Sequence, residues 1–379
     1  MKILSIGSDR KLFEEGSAVS ERIKEYGNLV DELHIVVLAL KSLGLKDKQL
    51  TSKVWVYPTN SFSRWFYVYD AVRLSNKIIF SRKFVKGQSM ITTQDPFECG
   101  WVGLIVKRKW LIPLEAQLHT DPFSPYFYGF KNFIRKNVAR KVLRYADGVR
   151  VVAENLKAGL TGLSGAAITV LPIYVDKEKI ENAEVKFNLH NRYPWRFIIL
   201  AASRLTREKN LGLTLRVLAR VRKKFPGVGL IILGAGPEEG RLRGLARRLG
   251  LSGAVEFAGW QEDLTSFYKS ANLFIQTSLF EGYGLSLVEA GLSGLPVVTT
   301  PVGIAKELIN EKEAYIIEPT DTEGFVSAII DLVENNHKRD YLRIHLRQTL
   351  EAKLLGKEEY LSKIKETWEQ TAKKIVAKK

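Results

Sequence analysis

Three observations on the 379-residue sequence predict an α/β protein with two doubly wound domains. Short apolar runs alternate with helix-like stretches, the same alternation starts afresh after residue 195, and a polar, irregular span separates the two series. In the first series Lys2–Gly7, Leu33–Leu40, Val54–Tyr57, Met90–Thr93, Leu114–His119 and Val149–Ala153 read as buried strands. Ser17–Tyr26, Trp65–Phe84 and Asn132–Tyr145 read as helices between them. In the second, the strands are Phe197–Ala202, Gly229–Leu233, Val255–Phe257, Leu273–Gln276, Pro296–Thr299 and Tyr315–Ile317. Nearly continuous apolar strands joined by helices imply parallel sheets covered on both faces.

The polar span sets the boundaries: a first domain over 1–175, a linker over 176–195 and a second domain over 196–356. Residues 357–379 form one lysine-rich helix whose apolar positions are Tyr360, Leu361, Ile364, Trp368, Ala372 and Ile375.

Composition is that of a globular protein, 45% apolar and 26% charged. No apolar run reaches the roughly 18–20 residues of a membrane helix. The opening MKILSIG reads as a strand rather than a secretion leader, and one cysteine, Cys99, cannot form an internal disulfide. A cytoplasmic location is the expectation.

The formal net charge is +17, unevenly spread. Residues 1–175 hold 26 Lys and Arg against 15 Asp and Glu. From Ala71 to Gln94 there are five basic residues and no acid, and from Lys131 to Arg150 seven basic residues and one acid, Asp147. Such a surface either attracts polyanions or is a solvated basic face. Trp65, Phe66, Tyr67 and Tyr69 precede the acid-free stretch. They suit an anionic membrane interface, or else form the core side of a helix packed on the sheet.

Doubly wound sheets bind ligands outside the carboxyl ends of their strands, so residues just past the strands carry the functional signal. After Phe197–Ala202 come Arg204 and Lys209, two cations five residues apart at a strand end and helix start. They make a diphosphate clamp, or an ordinary basic loop. Gly234 and Gly236 in GAGP permit close backbone approach or simply a tight turn.

The strongest motif is QTSLFEGYGLSLVEA, residues 276–290. A helix starting near Tyr283–Gly284 directs its free N–H groups, those of Leu285 and Ser286 included, at the strand-end cleft, with Glu281 in the loop above. Glu289 lies among apolar neighbours, where a carboxylate needs hydrogen-bond donors such as ribose hydroxyls; otherwise it is an exposed helix position. His119, ending LEAQLH, can donate to a sugar hydroxyl or phosphate, or cap its loop. The five histidines are scattered and show no metal-ligand spacing.

SRLTREKN, GAGP, EGYGLSLVEAGLSGLPVVTTPVGIAKELI and LHTDP, in this placement, resemble the retaining glycosyltransferases of family four. The resemblance spans nearly the whole chain, densest from Ala201 to Glu318 and thin before residue 110. It implies the GT-B fold, two Rossmann-like domains facing a central cleft, with the final helix returning to the first domain. It implies that Arg204 and Lys209 hold the donor diphosphate, Glu281 the transferred sugar and Glu289 the ribose. Backbone N–H groups around Tyr283, Gly284, Leu285 and Ser286 would assist. His119 would face the sugar, and Trp260 would lie where the base is held. Gly16, in Glu15-Gly16-Ser17, stands where relatives have a Gly-Gly turn, and Gly303-Ile304-Ala305 where many have two glycines.

The implied reaction moves a sugar from a UDP- or GDP-linked donor to a saccharide or lipid-linked acceptor, with no other cofactor, no metal and no specific nucleic acid. An epimerase or phosphorylase on the same fold, or a non-catalytic basic binding protein, are the rival readings.

Overall fold

The computed structural model describes residues 1–127 and 129–374. The chain forms two compact units: residues 1–172 with the tail from Gly356, and residues 173–355. The first holds strands β1 (Lys2–Gly7), β2 (Glu32–Val37), β3 (Lys48–Thr51), β4 (Val54–Pro58), β5 (Ser89–Thr93), β6 (Leu114–Leu118), β7 (Gly148–Val151) and β8 (Ala167–Val170). Its helices are α1 (Ala18–Asn28), α2 (Tyr67–Ser81), α3 (Glu98–Trp110), α4 (Phe130–Tyr145) and α5 (Glu154–Gly159). The second unit holds α6 (Lys177–Asn182), β9 (Phe197–Ala202), α7 (Leu211–Lys224), β10 (Val228–Leu233), α8 (Glu239–Arg248), β11 (Val255–Gly259), α9 (Leu264–Ser270) and β12 (Leu273–Gln276). It continues through α10 (Leu285–Leu292), β13 (Val297–Thr299), α11 (Ile304–Leu308), β14 (Tyr315–Ile316), α12 (Thr322–Glu334) and α13 (Asn336–Lys353). The tail helix is α14 (Lys357–Lys373).

The first sheet has the order β3-β4-β2-β1-β5-β6-β7-β8 and the second β11-β10-β9-β12-β13-β14. All described pairings are parallel except β3 with β4. β9 shows why the strands form: FIILAA is apolar throughout and buried along its whole length, as a strand covered on both faces must be. α7 then buries Leu211, Leu215, Leu218 and Val221 at helical spacing. Full burial of one such leucine stabilises by about 1.5–3 kcal/mol. Arg222, Lys223 and Lys224 in its last turn complement the helix dipole, and Pro226 follows. Side-chain caps start several helices: Ser17 for α1, Asp263 for α9, Asp321 for α12 and Asn335 for α13.

The polar span 176–195 is not free chain. α6 lies within it, Lys186 N donates to Ser266 Oγ (3.0 Å), and Lys269 Nζ donates to the Glu181 and Ala183 carbonyls. Phe187 meets Phe267 edge-on, and Trp195 is buried beside Gly229, where a Cβ would run into its indole. The segment therefore belongs to the second unit, tied down by backbone groups that its polar side chains do not advertise.

α14 belongs to the first unit. Ile364, Trp368 and Ala372 are buried, Trp368 meets Tyr26 edge-on, and Lys374 Nζ donates to the Asp147 carbonyl (2.8 Å). Ile375, read with this helix from sequence, lies outside the described residues. Tyr67 is core, whereas Trp65, Phe66 and Tyr69 are exposed, so the aromatic cluster before α2 splits between the two readings.

Candidate functional site

In the second sheet β10 and β11 lie on one side of β9, while β12, β13 and β14 lie on the other. The strand order reverses at the β9/β12 seam, and a doubly wound sheet opens its ligand crevice just there. The loops 203–210 and 277–284 leave the two strands at that seam. They are stitched together: Leu279 N donates to the Glu208 carbonyl (2.7 Å), and Thr214 and Thr277 hydroxyls meet at 2.8 Å. Thr277 Oγ1 also reaches the carbonyls of Lys209 (3.3 Å) and Asn210 (3.2 Å). Asn210 takes the left-handed conformation, φ 50°, which asparagine tolerates better than most residues, and so turns the chain into α7.

This stitching brings Lys209 and Glu281 together. Lys209 Nζ lies 2.7 Å from Glu281 Oε2, and their side chains are only 12% and 11% exposed. Ser278 Oγ donates to the other carboxylate oxygen at 2.7 Å. The result is an enclosed, hydrogen-bonded ion pair able to meet both an anion and a hydroxyl.

Arg204 differs from the fixed cation expected of it. Its side chain is 74% exposed and lies 3.7 Å from Glu208 Oε1, which Thr206 Oγ1 also holds (2.6 Å). An exposed pair at that distance leaves the guanidinium free to swing.

GAGP supports the loop after β9. Leu205 N donates to the Ala235 carbonyl and Glu238 N to the Leu205 carbonyl, each at 3.0 Å. Gly234 has φ +119°, and a Cβ there would run into the Ser203 carbonyl oxygen. One at Gly236 would strike Leu205 backbone. Both glycines therefore serve close loop approach, the plain structural reading of this motif.

α10 begins at Leu285, with Gly284 as its cap residue, so the first N–H groups of Leu285 and Ser286 have no intrahelical acceptor. The preceding turn is held by Ile304 N donating to the Tyr283 carbonyl (2.6 Å). Gly303, φ +58°, allows that approach, since a Cβ would collide with the same carbonyl oxygen. Tyr283 itself is buried. Beneath the turn, Gln276 donates through Nε2 to Thr299 Oγ1 (3.4 Å), while its buried Oε1 meets no donor.

Glu289 is no ordinary exposed helix position. Burial pushes its pKa up to about 7, against a smaller lowering by Tyr268, whose hydroxyl donates to Oε2 at 3.2 Å. Tyr268 is itself buried, and its own pKa is raised by burial and by Glu289.

Trp260, just past β11, is 68% exposed. In the first unit, His119 follows β6 at its carboxyl end. Surrounding protein, then Arg150 and Arg22, lower its pKa to about 4. The residue is also solvent-exposed, which tempers the shift, and the imidazole is mainly neutral at pH 7 in either case. Gly16 lies in open space before Ser17, the cap of α1. Among the described residues, no three His, Cys, Asp or Glu side chains gather as a metal site.

Sequence reasoning passed over Glu208, Thr214, Tyr268, Gln276 and Thr277. Thr277 was visible within the motif. Glu208 sits between two expected cations, and an acid there signals a neutralised clamp.

A sheet of order β11-β10-β9-β12-β13-β14 with a charged pair at its switch point defines a domain of the doubly wound class, with its candidate ligand crevice at that seam. Residues 183–349 match the model of the family described as glycosyl transferases group 1. It is 32% identical over 154 residues to the lipopolysaccharide core biosynthesis glycosyltransferase LpsE of Rhizobium meliloti, 40% of this chain and 44% of that protein. It is 29% identical over 238 residues to the alpha-monoglucosyldiacylglycerol synthase of Streptococcus pneumoniae, 59% of this chain and 54% of that one. These matches span about half the length of the curated relatives.

Among solved structures, the sucrose-phosphate synthase of Thermosynechococcus elongatus superposes with a TM-score of 0.78 at 17% identity, over 98% of this chain and 99% of that one. Anabaena HepE in complex with UDP and glucose gives 0.75 at 20%, over 100% of both chains. The chain has the GT-B fold that these structures share.

Proposed function

We propose that this protein transfers a sugar, with retention of configuration, from a UDP- or GDP-linked donor to a hydroxyl of a saccharide or lipid-linked acceptor in glycan assembly. The observation that carries the reading is the Lys209–Glu281 pair at the β9/β12 switch point, beside the open N–H groups of α10. UDP stands first among the donors because HepE binds it, and a lipid-linked acceptor is supported by relatives that build glycolipids.

In this reading the donor diphosphate sits against the amino end of α10, with Arg204 swinging in and Lys209 supporting from below. As the sugar–oxygen bond breaks, negative charge grows on the leaving phosphate, and these groups are placed to receive it. The acceptor hydroxyl attacks from the face the diphosphate leaves, which gives retention without a protein nucleophile. Glu281 is held by Ser278 in a pose to accept hydrogen bonds from sugar hydroxyls. Glu289, enclosed and supplied with one donor by Tyr268, has capacity left for the ribose. Trp260 flanks the base, and His119, at the carboxyl end of β6 in the first unit, has a neutral imidazole able to donate to a sugar hydroxyl. Gly16, in open space before α1, is the first unit's own candidate for a phosphate contact. Gly234 and Gly236 shape the loop carrying Arg204. The enzyme works in the cytoplasm, at an anionic membrane surface when the acceptor is lipid-linked.

A thermal-shift panel of UDP, GDP and their sugar conjugates tests this. A ligand at 100 times its Kd stabilises by about 2.7 kcal/mol, so one selective, sizeable rise in Tm is expected. Millimolar UDP and GDP conjugates that all leave Tm unchanged would overturn the donor assignment.

A further inference from the structure

Most exposed aromatic side chains of the first unit gather at two points on one edge of its sheet; Phe80 and Tyr145, at the carboxyl ends of α2 and α4, are the exceptions. α2 follows β4 and leads to β5; α4 follows β6 and leads to β7. These strands run parallel, so both helices start at the carboxyl edge of the sheet. α3 packs between them, against both. With packed helices 8–10 Å apart, the two amino ends lie about 20 Å from one another on the same layer.

At the start of α2, Phe62 is 88% and Trp65 94% exposed, and Tyr69 follows one turn on. At the start of α4, Phe130 is 81% and Phe133 62% exposed, with Ile134 beside them at helical spacing. Scattered exposed apolar residues need no explanation, but large aromatics massed twice at one edge do. Burial within the unit is no alternative, because Tyr67, Ile78, Ala139 and Val142 already supply the inward faces of both helices.

Charge names the occupant. α4 contains no acidic residue, and Lys131, Arg140, Lys141 and Arg144 are exposed along it. From the exposed aromatics of α2, Arg73 and Lys77 continue outward at spacings of four. Apolar wedges backed by unopposed cations match an anionic lipid leaflet, where rings enter the interface and Lys and Arg meet headgroups.

We propose that the amino ends of α2 and α4 form a two-point docking edge that seats the first unit on an anionic bilayer, through Phe62 and Trp65 at one point and Phe130 and Phe133 at the other. The proposal deepens the membrane placement given under the proposed function and rests on that part of it alone; donor binding is tested separately, since lipid docking needs no donor. It adds that neither wedge is sufficient alone, because each is small and the two act as linked sites on one rigid layer.

The test uses the full chain in flotation with phosphatidylcholine vesicles, with and without about a third phosphatidylglycerol. Binding is expected only with the anionic lipid and is expected to weaken as salt rises. Phe130→Ser/Phe133→Ser and Phe62→Ser/Trp65→Ser should each reduce binding by at least tenfold. Arg140→Gln/Lys141→Gln should lose about fivefold per charge, the usual worth of one basic residue near such a surface. Brominated lipid should quench tryptophan emission in the wild type, and Trp65→Phe should abolish most of that quenching. These are surface positions, so unchanged circular dichroism and Tm will separate lost docking from lost folding.

Equal binding to neutral and anionic vesicles would overturn the proposal. So would full binding by either wedge variant, or quenching that survives Trp65→Phe. Self-association abolished by the same substitutions, without vesicle binding, would assign the edge to a second copy of the chain instead.

Discussion

Replacing Lys209 with methionine strips the cation from a carboxylate that is almost wholly enclosed. At 2.7 Å the pair attracts by roughly 6 kcal/mol with an effective dielectric of 20, a gross figure offset by the desolvation of both charges. The net cost of deleting one partner is governed by what stays behind. Glu281 would keep Ser278 but lose its counter-charge, a change that typically costs about 3–5 kcal/mol. The slight exposure of both side chains, 12% and 11%, favours the lower end. For a unit of this size, about 3 kcal/mol corresponds to a fall of roughly 6–12 °C in Tm. Calorimetry of Lys209→Met, Glu281→Gln and the double variant measures it, following the transition assigned to the second unit. The double variant should melt above Lys209→Met, because removing the orphaned charge removes the penalty. If Lys209→Met shifts that transition by less than about 2 °C, or the double variant melts lower still, the pair is not the enclosed one described.

Glu289 links the site to pH. Its folded-state pKa of about 7 lies above the ordinary carboxylate value, so the fold holds this proton more tightly than the unfolded chain. Its contribution to stability is complete below about pH 4.5 and is lost as pH rises to about 7. Ribose hydroxyls favour the ionised form, so calorimetric UDP binding should tighten as pH rises through 7 and release protons below it; Glu289→Gln should flatten the profile. Gly234→Ala must leave φ +119° or drive its methyl into the Ser203 carbonyl, and should lower stability by about 1–3 kcal/mol in thermal melts. Arg204→Ala, at a side chain 74% exposed, should leave Tm within about 1 °C while cutting turnover by roughly 10²–10³-fold in a donor-consumption assay.

Both sheets were legible because their strands are mainly apolar: Lys2–Gly7, Phe197–Ala202 and Leu273–Gln276 have the expected bounds. β3 and β8 escaped because KQLT and AITV are four-residue edge strands, only partly buried. The 176–195 span escaped for the opposite reason. Its polar letters hide backbone and aromatic contacts made across long sequence separations, such as Phe187 with Phe267. Placement of Lys209 and Glu281 at neighbouring strand ends follows from strand order, yet their pairing depends on loop stitching by Thr277 and Leu279 that no local pattern encodes. Glu289 was readable as a carboxylate in apolar company; Tyr268, 21 positions earlier on another helix, was not.

The most direct test of the central claim is nucleoside diphosphate release from UDP- and GDP-linked sugars, followed chromatographically with wild type and with Arg204→Ala. Sugar transfer through the described clamp requires that one donor be consumed by the wild type, even slowly by water alone, and that the folded variant be at least a hundredfold slower. Equal release by both proteins would contradict the account, because the charge growing on the leaving phosphate would then be met somewhere other than the β9/β12 switch point.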